Sequence, residues 1–549
     1  MSPARAVALL ATAAALLLAS GTAGASDGAD PSAVDHATWV DHDAKPIKKP
    51  KEREINLYSY MFRQAISDPL SHAFDIPDKL LWLASPFGVD RKRHDANANA
   101  FDEVPNSTWF TNRNHIKHVA PELIRTGPYD GVRPAKPWTV TGLKKGGFNL
   151  GFQMKDAEGR KWIVKLDRKG HPQSGSGAAT VSSRLAWAAG YNISLDQAMS
   201  FLHGDLKFET KPPKPGDDPP VTDAQIQDIL KLVAQSSDGR YYGSASLFLP
   251  GKPVGPIDLH GRRKDDPNDW FKHKNRRELR GLFVFYSWLN NWDVKDQQSL
   301  DMYGKPGDYL THYQLDVDGS LGAAAEGAKP LPYGFENRVD FGWTATRMIT
   351  LGFVNEPWRK AHQETGIPSV GNFSAEFNPK DWRPLEEVPP FRKMMQRDAY
   401  WGAKLVASFS DEQIAAAIDA VGYEDPRARD YLLRTLIERR DRVARYWFGR
   451  VAPLDFFHVE DGVLRFHDLA VDRGYTGSRE YEVEVDSSDD GNARAPGHLR
   501  LRTTEIALGD RGGSKLWLTL SVSGSDAKSV RVELTRKGSD WVVTRVRHA

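Results

Sequence analysis

The sequence predicts an α+β chain: a β-meander backed by a helix, then a long helical stretch, then a small all-β sandwich. Three observations predict it. Short β-rich runs separated by turn signals fill Trp138 to Asp167, helical periodicity dominates residues 390–450, and alternating strands recur at short spacing from about Pro453.

The meander comes from WTVTGLK (138–144), FNLGFQM (148–154) and KWIVKLD (161–167). Lys144-Lys145-Gly146-Gly147 and Asp156-Ala157-Glu158-Gly159 between them are turn signals. Ser174 to Gly190 places Ala178, Val181, Leu185, Ala188 and Ala189 on one helical face, and Gly190 ends the helix. A Pro-rich insertion (211–222) leads to a helix over Thr222 to Gln235, capped at Thr222 or Asp223. Tyr241 to Leu249 is a strand that Pro250-Gly251-Lys252-Pro253 breaks, and Asn275 to Asn290 is a strongly apolar helix with Asp293 in the loop behind it. Ser410 and Gln413 form a capping box, and Leu432, Leu433, Leu436, Ile437 and Val443 line the helix from Asp430 to Phe448. The run FDEVPNSTWFTNR (101–113) reads as a docking loop with satisfied polar groups.

The expected divisions are 1–25, 26–54, 55–135, 136–255, 256–450 and 451–549. The first is a secretory signal peptide: Arg5 supplies the charge, Ala6 to Ser20 the apolar core, and Ala23-Gly24-Ala25 the cleavage site. The chain is therefore expected to be exported, to the periplasm or beyond. Residues 26–54 read as a disordered linker carrying the basic run KPIKKPKER (45–53), and 55–135 as an N-terminal extension. No later stretch approaches the ~18 apolar residues of a membrane span. With no cysteine, disulfides, thiolate metal sites and a cysteine nucleophile are excluded. A net charge of +2 gives no global field for nucleic acid.

The order of residues from the meander onward suits phosphoryl transfer, which needs positioning more than covalent chemistry. Gly146 and Gly147 form a turn whose backbone N–H groups can approach phosphates, although the same pair makes an ordinary hairpin. Lys165, alternating with apolar residues on the third strand, suits the α- and β-phosphates. Asp293 occupies a loop after a helix, where a catalytic carboxylate belongs. Gln298, five residues on, and Asp316 in YQLDVDG (313–319) are candidate metal ligands, with Mg²⁺ or Mn²⁺ and ATP as the expected cofactors.

On FDEVPNSTWFTNR (101–113), WIVKLD (162–167), LAWAAGYNIS (185–194), ASLFLPGKPVGPIDLHGRRKDDPNDW (245–270), RRELRGLFVFYSWLNNWD (276–293), SLD (299–301) and YQLDVDGSLG (313–322), the chain resembles secreted bacterial proteins with a bilobal protein-kinase-like fold, distantly similar to CotH-type and phosphoinositide-kinase-like enzymes. The resemblance implies an N-lobe over 136–255 and a helical C-lobe over 256–450. It also implies Lys165 as nucleotide lysine, Asp293 as catalytic-loop acid and Asp316 as metal acid. The chain departs from that pattern in three places. Gln298 replaces the usual Asn, Val317-Asp318 replaces Phe-Gly, and the helix from Gly177 to Gly190 has no acid to meet Lys165, leaving Asp102, Glu103 or Glu158 as substitutes.

Three readings stay open: a Mg-dependent phosphotransferase using a nucleotide or another phosphodonor, a catalytically silent pseudokinase or envelope-polymer-binding protein, and a carbohydrate-active hydrolase using paired acids such as Asp265-Asp266. Arg262-Arg263-Lys264 and Arg276-Arg277 are expected either as an electropositive rim or as solvated helix ends.

Overall fold

Alternating large apolar residues set the central sheet. Trp138–Leu143 (β1), Gly151–Lys155 (β2) and Lys161–Leu166 (β3) bury Trp138, Val140, Phe152, Met154, Trp162 and Val164 on one face. In this computed structural model, residues 43–55, 60, 97–129, 131–144, 147–209, 219–339, 341–354, 357–489, 492–493, 497–509 and 513–548 are described. The signal-peptide expectation, Gly146 and the core of the Pro-rich insertion lie outside them.

Helix Ser174–Ala189 (α1) follows β3 and covers the opposite face of the sheet. Strands Asp196–Phe201 (β4), Leu206–Phe208 (β5) and Tyr241–Leu247 (β6) complete it in the order β4-β6-β3-β2-β1-β5. All pairs are antiparallel except β5, a short strand the sequence pattern does not announce, which runs parallel to β1. Helix Asp223–Leu230 (α2), capped by a reciprocal Thr222–Gln225 pair, drives Ile226 and Leu230 into the apolar face. Meander, crossing helix and three further strands form the upper layer, in the α+β order expected from the sequence.

The lower layer is helical. Every residue of Arg277–Leu289 (α3) is buried, against Gln396–Ala407 (α4) and Pro426–Phe448 (α6), and Asp411–Asp419 (α5) packs on α6 and α1. Glycines permit the α3–α4 crossing: a Cβ on Gly281 would lie 2.7 Å from the Trp401 ring, and one on Gly402 would lie 2.7 Å from the Gly281 carbonyl oxygen. After α3 the chain forms the hairpin Ser299–Tyr303 (β7) and Leu310–Gln314 (β8).

The final part is β-rich, as expected. Leu454–Glu460 (β9) and Val463–Asp468 (β10) belong to a three-stranded sheet. Tyr481–Asp489 (β11), Gly497–Leu501 (β12), Lys515–Val522 (β13), Val530–Lys537 (β14) and Asp540–His548 (β15) form a larger antiparallel sheet. Both sheets share one core built on Phe457, Phe466, Val483, Leu518, Leu520, Val532 and Leu534.

Two sequence expectations change. Residues 43–54, inside the span read as disordered linker, lie against the body: Ile47 N donates to Asp308 O at 2.7 Å and Arg53 N to Val254 O at 2.9 Å. Arg53 passes so close to Gly255 that a Cβ there would lie 2.1 Å from the Arg53 carbonyl oxygen. Composition suggested disorder, but partners two hundred residues away satisfy this backbone. The expectation for the arginine runs is corrected at Arg263, Arg276 and Arg277, whereas Arg262 and Lys264 are exposed. Arg263 pairs with Asp301 at 2.9 Å, Arg276 with Asp269 at 3.3 Å and Arg277 with Asp102 at 2.6 Å, all buried.

The loop 101–113 ties the parts together. Asp102 joins Arg277 of α3 to His548 of β15, whose Nδ1 lies 2.8 Å from Asp102 Oδ2. Glu103 pairs with Lys404 of α4, and Lys404 Nζ reaches Asp455 of β9 at 2.9 Å. Trp401 Nε1 donates to Glu103 at 3.0 Å and Tyr400 OH to Asp455 at 2.8 Å.

Candidate functional site

Alternation along β3 aims Val164 and Leu166 at the apolar core and Lys165 at the other face, toward the cleft between the two layers. The loop after β8 brings two carboxylates to it. Lys165 Nζ pairs with Asp316 and lies 3.1 Å from Asp318 Oδ2. Between the two acids, Val317 is fully buried and anchors the loop. Asp316 sits at φ 54°, a left-handed backbone that a non-glycine residue adopts at a cost and that recurs at functional sites.

Residues 147–149 approach this cluster. Gly147 has φ 73°, and Asn149, two residues on, donates its amide to Asp318 Oδ2 at 2.7 Å. Asp293 lies on the other side of the same loop: a Cβ on Gly319 would lie 3.2 Å from Asp293 Cβ, and Trp292 N donates to Gly319 O at 3.1 Å. Lys165 and Asp316, far apart in sequence, thus meet directly, while Asp293 adjoins the loop that carries Asp316 and Asp318 through Gly319.

Gln298 takes a different place from the one expected. Its Nε2 donates to Asp293 Oδ2 at 2.8 Å, while Lys295 Nζ pairs with Asp293 Oδ1 at 2.6 Å. The side chain orients the candidate catalytic acid instead of facing Asp316. The expected substitutes for a helix acid are also occupied elsewhere: Asp102 by Arg277 and His548, Glu103 by Lys404, and Glu158 by Arg160 at 3.0 Å. Lys165 pairs with Asp316 and Asp318 instead.

The electrostatics of the pair are unequal. Burial works to raise both carboxyls. At Asp316 the Lys165 charge outweighs burial and holds the group below the usual range. At Asp318 burial and then the Asp316 charge push the carboxyl well above it. Burial alone would lower the Lys165 amine, but Asp316 and Asp318 outweigh it and keep the ammonium charged. Lys144 adds a second cation nearby, its amine lowered first by burial and also by Lys165.

Two adjacent carboxylates competing for one ammonium form an all-oxygen donor set that fits a hard divalent cation. Asp316 and Asp318 would hold such an ion, and Lys144 and Lys165 would face the phosphates of a nucleotide. Motif reasoning found Lys165, Asp293 and Asp316 but not Asp318, Asn149 or Lys295. The signals were present: a second acid two residues after Asp316, an amide just beyond the glycine turn, and a lysine two residues after Asp293.

Other groups are committed elsewhere. Asp265 pairs with Arg263 at 3.2 Å and accepts Lys51 N, and Asp266 accepts Asn268 N at 2.8 Å. Asp258, His260 and Asp296 bring ligand atoms within 4.8 Å of one another, but Arg53 Nη2 stands 3.7 Å from Asp258 and 3.5 Å from Asp296.

No family model matches the chain, and no curated protein matches it in sequence. Among solved structures, Golgi casein kinase with Mn and ADP bound is similar at 11% identity and a TM-score of 0.30, over 58% of this chain and 72% of that one. A second Golgi casein kinase structure is similar at 11% identity and a TM-score of 0.31, over 60% and 78%. Among the described residues, no helix is long and apolar enough to cross a membrane.

Proposed function

We propose that the protein is a kinase-like phosphotransferase that takes a nucleotide with Mg²⁺ or Mn²⁺ and, on the reading of residues 1–25, works outside the cytoplasm. One observation carries this: Lys165 is held between Asp316 and Asp318 beneath the Asn149 hairpin, with Asp293 across the same loop. When bound, the divalent ion would neutralise phosphate charge. Lys165 orients the donor phosphates. Asp293 accepts the proton of an acceptor hydroxyl as its oxygen bonds to the terminal phosphorus and the donor's bridging P–O bond breaks. Lys295 and Gln298 fix the Asp293 carboxylate for that transfer.

The test is thermal unfolding of residues 26–549 with Mn²⁺ and ADP. Ligand at 100 times its Kd adds about 2.7 kcal/mol, so a clear rise in Tm is expected, and Lys165→Met should weaken ADP binding and shrink the rise at the same ADP concentration. No rise in the wild-type protein overturns the reading. Asp293→Asn should keep the rise and abolish phosphate transfer from ATP.

A second reading, nucleotide binding without turnover, has one observation in its favour: the Gln298 amide turns to Asp293 instead of the candidate metal acids. A wild-type protein that binds ADP yet transfers no phosphate from ATP to any hydroxyl acceptor or to water supports it.

A further inference from the structure

The sheet face behind the cleft carries a carboxylate that none of the predicted motifs uses. Asp196, the first residue of β4, is 1% exposed. Its Oδ1 accepts Ser246 Oγ at 2.6 Å and Ser244 Oγ at 3.3 Å, and among the described residues no cation pairs with it. The nearby Arg184 guanidinium donates instead to the Asp196 backbone carbonyl at 2.7 Å and to Gln197 at 2.6 Å. A buried carboxylate served only by hydroxyls is costly unless a cation comes to it.

Strand register identifies that cation. Lys165 on β3 stands opposite Ser244 on β6, and Asp196 stands opposite Ser246. Opposed residues share a face, so Lys165, Ser244, Ser246 and Asp196 all lie on the α1 side of the sheet. The Asp196 charge acts on the Lys165 ammonium in the same sense as Asp316 and Asp318 do. Helix α1 offers no acid of its own. It contributes Ser183, whose Oγ holds Asp196 N at 3.2 Å.

We propose that Asp196 is the positioning carboxylate for Lys165, taking the lysine when a divalent cation engages Asp316 and Asp318. The counter-charge for the nucleotide lysine then comes from a strand and not from the crossing helix. The inference rests on the nucleotide-site reading above. With the two acids turned to the cation, the Lys165 ammonium loses its present partners. Its flexible stem lets it lean on the Asp196 side of the row, where it is oriented toward the phosphates.

Asp196→Asn preserves the shape and the acceptor for both serines while removing the charge. Mn²⁺ alone, followed by electron paramagnetic resonance, should bind this variant as it binds the wild type. ADP affinity at saturating Mn²⁺ should fall on the order of tenfold. In a Lys165→Met background, Asp196→Asn should cost nothing further, because its effect runs through the lysine. Equal losses in both backgrounds would mark a merely structural role and overturn the proposal. A second arm needs no nucleotide. In Asp316→Asn/Asp318→Asn protein, where the nearer acids no longer compete, Lys165→Met and Asp196→Asn should shift Tm non-additively. Additive shifts overturn the pairing. Non-additive shifts in a protein whose wild type binds no ADP would sink the nucleotide reading and leave the pairing standing.

Discussion

The staple around Glu103 and the cleft around Lys165 contain the same arrangement, two carboxylates on one lysine, and resolve it in opposite ways. In the staple, the side chains of Glu103, Lys404 and Asp455 are 2–4% exposed. Trp401 and Tyr400 add neutral donors, and Asp455 rests below the usual carboxylate range because the Lys404 charge outweighs burial. In the cleft, Lys165, Asp316 and Asp318 are 14%, 25% and 17% exposed, and one amide from Asn149 is the added donor. There burial and the Asp316 charge drive Asp318 above its range. A cluster settled by neutral donors has no group left to offer, whereas one with competing acids within reach of water is the place where the proposed cation is to be tested.

That contrast can be broken most forcefully at Lys404. Lys404→Met leaves two buried carboxylates without a cation and should cost about 3–5 kcal/mol in denaturant unfolding. Lys165→Met should cost distinctly less, and equal losses would erase the distinction. Gly402→Ala, which drives a methyl into the α3–α4 crossing, should cost about 1–3 kcal/mol without changing Mn²⁺ binding.

Acid should sharpen the comparison next. Burial would raise Asp102, but the Arg277 charge and the His548 hydrogen bond hold it far below its ordinary value. Asp269, with His273 and Arg276, is held to about 2. Folded carboxyls depressed in this way stabilise fully above the unfolded value and lose that contribution as pH falls below about 4. Tm should therefore drop between pH 5 and pH 3, and Asp102→Asn should flatten the drop while lowering Tm at pH 7. The smallest effect belongs to Asn149→Ala, which removes one hydrogen bond worth about 0.5–1.5 kcal/mol. Stability should barely move, and ADP affinity should weaken a few-fold.

Much of this layout was legible in the sequence because its signals are local. Alternation around Lys165 and the acids of the loop after β8 each lie within a few residues, and the structure brings these two signals together. The capping boxes at Thr222 and Ser410 were readable for the same reason. What stayed hidden depends on distant partners. Gln298 was read by its spacing from Asp293, but its amide direction follows from the nearness of that carboxylate. The arginines at 263, 276 and 277 looked solvated because their acids lie elsewhere in the chain. Residues 43–54 looked disordered because their hydrogen-bond partners come from residues 254–308.

One staple partner sets a timetable. Asp102 receives both the backbone N–H and the ring of His548, 446 positions later. The ribosome must therefore emit nearly the whole polypeptide before Arg277, already buried beside that aspartate, gains the full set of neighbours that holds it. Until then the midsection has an incomplete charge network and the last strand has no dock. Such late closure keeps the nascent chain loosely assembled until that strand arrives.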